Sequence, residues 1–209
     1  MAESEVASEQ RRRSTGVVDL LLTTGGLAVV GAVIGITWAA ALRAYMVGLA
    51  GSATVFSWWG TFGAILTPGA ISGALLAVAW RRSAMGRASA WFAFAPAPLA
   101  VATFLEPGAL WTLLTTGLGG GAIGVVATGL LGGFAAGQRG PVWVRALSGA
   151  VWAAMVVGFA LTPALVAGLP PTDPRGAWLI VLAVGLMFVL SVACIAPFRS
   201  TGADAAASA

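Results

Sequence analysis

Between Asp19 and Arg81 the chain carries a single charge, Arg43, inside the stretch WAAALRAYMVGLAGSATVFSWW that runs from Trp38 to Trp59. A fold surrounded by water cannot hide apolar runs of this length. A soluble domain is about 25% charged; this chain is 9% charged and 59% hydrophobic. Lipid is therefore the solvent for most of it. In hydrocarbon every backbone N–H and C=O must be satisfied within the protein, which leaves α-helices or a closed barrel. The apolar runs are about 20 residues or longer and do not alternate strictly, which selects helices. The expected fold is all-α, a polytopic transmembrane bundle of about six spans.

The runs fall at 17–42, 57–80, 88–105, 109–136, 146–169 and 177–197. At 1.5 Å per residue such segments suit a hydrocarbon core about 30 Å thick. Residues 1–16 form a polar amino-terminal tail, 17–198 the six-helix domain, and 199–209 a small polar tail expected to be disordered. The run after Gly16 is longer than the core of a cleaved signal peptide, so a retained signal-anchor helix is expected. The apolar segment 43–56 lies between the first two spans. Lying along the outer surface, extending the first helix and dipping into the membrane are the alternatives open to it.

Arginines set the orientation. With the amino terminus in the cytoplasm, Arg11, Arg12, Arg13, Arg81, Arg82, Arg87, Arg139, Arg145 and Arg199 lie inside, and Arg43 and Arg175 lie outside. This strong bias is what the positive-inside rule predicts, and a seventh span across 43–56 would destroy it. Both termini are then cytoplasmic. Ala, Gly, Val and Arg dominate while Lys and His are absent. That usage reads as GC-rich coding and matches small polytopic proteins of GC-rich bacteria, so the expected location is a bacterial inner membrane.

Missing residues restrict the chemistry. Without His there is no imidazole ligand and no His general base. Without Lys there is no Schiff-base or lysine nucleophile. The acids Glu3, Glu5, Glu9, Asp19, Glu106, Asp173 and Asp204 form no close pair outside the amino-terminal tail, so a clustered-carboxylate metal site is not expected. The lone Cys194 makes no disulfide or CxxC pair. No catalytic residue, cofactor or metal site is expected. Nucleic acid is not an expected partner, because no basic patch stands on a folded polar surface.

Three groups of residues remain as candidates. On the fourth span Gly117, Gly121, Gly124, Thr128 and Gly132 recur three or four residues apart, a small-residue face that lets helix backbones approach closely. Intramolecular packing is its plain reading; a homo-oligomer interface and a carbonyl-lined path are the alternatives. Gly31–Gly35 and Gly69–Gly73 repeat the pattern more weakly. The second group is the two LTP breaks, Thr67–Pro68 and Thr162–Pro163. Proline removes a donor and frees the carbonyl four residues earlier, here Ala64 and Phe159, while the preceding Thr hydroxyl can satisfy backbone locally. The third is an outer polar cluster of Arg43, Tyr45, Glu106, Asp173 and Arg175, with Glu106 the expected partner of Arg43.

The function these features suggest is non-enzymatic: an accessory or interaction subunit whose partners are the lipid bilayer and another membrane subunit or a second copy. The alternative is a small permease or channel with a site near the broken second and fifth spans. A pore requires a polar cavity near Thr67 and Ala64; a packing subunit requires a dry core there.

Overall fold

The computed structural model describes residues 23–87, 89–104 and 120–199. The described residues are mostly helical with no strand, and the protein is an all-α helical bundle of membrane type. Helix α1 spans Thr24–Ala50, and α2 spans Thr67–Ala84 behind a π-helical stretch, Trp58–Leu66. A 3₁₀ turn, Ala90–Phe94, leads into α3, Ala97–Phe104. Then come α4, Gly120–Ala136; α5, Val142–Ala167; and α6, Pro174–Ala193, with a 3₁₀ turn at Ala196–Phe198.

Four of these segments are long and apolar enough to cross a membrane: Thr24–Ala53, Trp58–Ala84, Val142–Ala167 and Pro174–Ala193. The third and fourth places are held by shorter apolar helices, Ala90–Ala102 and Gly121–Ala136. Within the expected span 88–105, Pro96 follows the 3₁₀ turn Ala90–Phe94 and Pro98 sits in the first turn of α3, and the run breaks there. Proline fits a first turn, where its missing N–H costs nothing.

The first helix does not stop at residue 42. Thr23 caps it, its side chain accepting from Gly26 N (3.0 Å), and it runs on to Ala50. The segment 43–56 is thus mainly a helix extension, followed by a 3₁₀ turn at Gly51–Ala53 and extended backbone. At the other long break, α5 ends on Gly168 with φ 64°, and the N–H of Leu169 reaches Pro163 O (3.0 Å). That left-handed position suits a residue without a Cβ. Asp173 then caps α6, accepting from Arg175 N (2.7 Å) and Gly176 N (3.2 Å), with Pro174 in the first turn.

Packing divides the bundle into an α1–α2 pair and an α4–α5–α6 group, joined where α1 meets α6 and where α3 bridges α2 and α4. Helix α6 is the hub. Leu179, Ala183, Leu186, Met187 and Leu190 face inward along it and form the core with Tyr45 and Leu76. Between helices in lipid the hydrophobic effect is weak, so close van der Waals fit and interhelical hydrogen bonds must hold the bundle.

The described arginines separate by end. Arg81, Arg82, Arg87, Arg139, Arg145 and Arg199 lie at one end, Arg43 and Arg175 at the other, as the element order dictates. Exposed aromatics mark the same two levels: Trp91, Phe94 and Trp143 at the arginine-rich end, and Phe56, Trp58, Trp59 and Trp178 at the opposite end. Rings of this kind favour the membrane–water interface.

Candidate functional site

The closest approach in the bundle is the crossing of α1 and α2. A Cβ placed on Gly35 would lie 2.1 Å from Gly69 O, and one on Gly73 would lie 2.1 Å from Gly31 O. Gly31 and Gly69 are as tight: their Cβ positions would fall 2.4 Å from Gly73 O and 2.5 Å from the Ala39 Cβ. The two minor glycine pairs of the sequence therefore face each other in an antiparallel hairpin. Only glycine lets the backbones come this near.

Of the expected face on α4, Thr128 and Gly132 are closely packed while Gly121 and Gly124 have more room. Gly117 lies outside the described residues. Among those residues, nothing comes within 4 Å of a Cβ on Gly121, and a Cβ on Gly124 would meet the Phe159 ring at 3.4 Å. Thr128 is fully buried and donates to Gly124 O (2.7 Å). The tight positions are Gly129, Gly132 and Gly133, against Leu190, Ser191 and Cys194 of the α6 end. Gly132 leaves the space in which Trp152 Nε1–H donates to Ser191 Oγ (2.9 Å), which in turn donates to Met187 O (2.7 Å).

Two more indoles reach α6. Trp38 Nε1–H donates to Leu186 O (3.0 Å), and Trp80 Nε1–H donates to Ala193 O (3.0 Å). The helical donor for Ala193 O would be residue 197, which is a proline. Trp80 thus supplies the bond that Pro197 withholds. Tryptophans from α1, α2 and α5 all bond the one hub helix. Residue spacing does not mark these tryptophans; the available signal was that Trp38 and Trp152 lie within the spans 17–42 and 146–169 and not at their ends.

The two LTP breaks behave differently. At the first, the nine-residue π stretch precedes Pro68, and both the N–H and the hydroxyl of Thr67 bond Phe62 O, the hydroxyl at 2.8 Å. Widening of the helix accommodates the proline ring. At the second, Phe159 O has no N–H at position 163 to accept from. It accepts instead from Thr162 Oγ1 (2.6 Å) and Tyr45 Oη (3.0 Å), and the two hydroxyls also touch each other. Tyr45, a member of the outer cluster, is thereby brought to Thr162–Pro163.

Among the described residues the remaining outer side chains, Arg43, Asp173 and Arg175, each have different hydrogen-bond partners. Arg175 donates to Gly48 O (3.0 Å), capping the carboxyl end of α1 where the helix dipole favours a cation. Asp173 serves its own helix. Arg43 donates to Val55 O (2.7 Å) and stacks 4.6 Å from the Phe56 ring, so it holds the returning segment against α1. Among the described residues its Nε is buried without a partner, as are the hydroxyls of Thr54, Thr61 and Ser72. Glu106, its expected partner, lies outside the described residues.

A cavity of about 320 Å³ runs beside the glycine crossing, between α1, α2 and α6. Its wall includes Ile34, Trp38, Leu76, Trp80 and Val189, and no polar atom reaches its surface. Neither Thr67 nor Ala64 lines it. Among the described residues no three of His, Cys, Asp and Glu gather where they could hold a metal ion. No family model matches the chain, and no curated protein and no solved structure matches it significantly.

Proposed function

We propose that this membrane-embedded bundle is a non-enzymatic accessory subunit that packs against another transmembrane helix. The observation that supports this reading best is the state of α5. Of its most apolar eighteen-residue window 6% is buried, against 39% for α6. Its exposed side carries Ala146, Ala150, Ala154 and Gly158 at intervals of four. A small-residue face of this spacing admits a neighbouring helix backbone, whereas bulky side chains suit lipid better. The absence of His and Lys from the sequence favours packing over catalysis.

Assembly in mild detergent tests the proposal. Ala154→Trp fills the face without touching the bundle core, so the melting temperature should hold while the complex seen by native mass spectrometry shrinks to a lone chain. A wild-type chain that is already alone when extracted gently from its own membrane counts against the idea.

The proposed setting is a bacterial inner membrane with both termini in the cytoplasm. The nine-to-two arginine split supports it. A reporter active only outside the cytoplasm, fused after Gly202, should be silent; activity would reverse the orientation.

A further inference from the structure

We propose that the groove between α1, α2 and α6 holds one acyl chain of an anionic phospholipid from the leaflet on the arginine-rich side, with the headgroup on Arg81. Length is the first ground. The groove runs from Leu27 to Trp38 on α1 and from Gly69 to Arg81 on α2, about 17–18 Å at 1.5 Å per residue. One leaflet is half of a hydrocarbon core about 30 Å thick, so the groove takes a chain from one side of the bilayer and ends near the middle. Chemistry is the second ground. No polar atom reaches the groove surface, so hydrocarbon fits it and water does not.

Charge is the third ground, and it selects the headgroup. Arg81 lines the end of the groove, in the last turn of α2 beside Arg82. Its Nε–H is buried and, among the described residues, has no acceptor. A donor in that state is costly unless a ligand completes it, and a phosphate oxygen at the head of the chain would do so. A long cation at this place can lay its methylene stem along apolar surface and keep its charge at the membrane surface. No residue of α5 lines the groove, so this site does not depend on the partner face proposed above.

Native mass spectrometry of the full chain in a neutral detergent, with phosphatidylglycerol or phosphatidylcholine added, tests the assignment. One phosphatidylglycerol should be retained in preference to phosphatidylcholine. Arg81→Gln should lower that retention about fivefold, the worth of one basic residue near a membrane surface, whereas Arg87→Gln at the same end should not. Ile34 lines the groove and is 58% exposed, so Ile34→Trp should obstruct it and expel the lipid with the melting temperature unchanged. Equal retention of the two lipids by the wild-type chain overturns the proposal without any variant. So does an equal loss for Arg87→Gln, which would indicate a diffuse basic belt, or lipid retained in a folded Ile34→Trp chain.

Discussion

Gly35→Leu should cost more stability than any other single substitution considered for this protein. Even the first added carbon would sit 2.1 Å from Gly69 O, 2.9 Å from its carbonyl carbon and 3.0 Å from the Gly73 Cα. All three obstacles are backbone, and backbone in a helix cannot rotate aside as a side chain does. The helices must separate. Separation forfeits the close van der Waals contact that replaces the hydrophobic effect in lipid, and it pulls Trp38 and Trp80 away from their acceptors on α6. Overpacking typically costs about 1–3 kcal/mol and occasionally more; this case belongs at or above the top of that range. Gly35→Ala should already be clearly destabilising. Gly185→Leu is the control, because a Cβ there meets nothing within 4 Å. Thermal unfolding in detergent reads the difference. Equal melting of the Gly35 and Gly185 variants would mean that the crossing is looser than described.

That glycine crossing shows how far the sequence could be read. Four long apolar helices, the all-helical nature of the fold and the separation of the described arginines by end follow from apolar run length and charge alone. Small residues at intervals of four were also visible in three spans. What intervals cannot reveal is which face has a matching face opposite. Gly31 and Gly35 meet Gly69 and Gly73 because both pairs lie at comparable depth on either side of one connection, in an antiparallel hairpin. The richer glycine run on α4 packs through Gly132 of the expected face and through Gly129 and Gly133 beside it, because α6 lies on that side. Arg43 was legible as a residue near one end of the bundle. Its partners were not, because the helix continues past it to Ala50 and the segment after Gly51 folds back over its guanidinium. Aromatic anchors were missed for a similar reason: an indole N–H inside a span needs an acceptor, but composition does not say which helix provides it.

The second large effect is expected at Phe159 O, whose vacancy was readable from Pro163 and whose distant donor was not: Tyr45 lies 114 residues away in the chain. Two hydroxyls now do the work of one backbone N–H. Interhelical hydrogen bonds in membranes average about 0.6 kcal/mol and reach about 1.7 kcal/mol. Tyr45→Phe alone should therefore cost about 1 kcal/mol, because Thr162 still serves the carbonyl, and Thr162→Val should cost a similar amount. Removing both leaves a part-buried carbonyl with no donor, and an unsatisfied group costs about 1–3 kcal/mol. The double loss should then exceed the sum of the single ones. Pro163→Ala provides the decisive arm, because it returns an N–H at the position from which a regular helix would bond Phe159 O. In the wild-type background it also removes a buried ring, so it should be neutral or mildly destabilising. In the Tyr45→Phe, Thr162→Val background it should stabilise. A double-mutant cycle measured by unfolding in detergent isolates that reversal of sign. Additive losses, with no rescue by alanine, would show that the two hydroxyls position α1 against α5 by contact alone and that the carbonyl freed by proline is satisfied some other way.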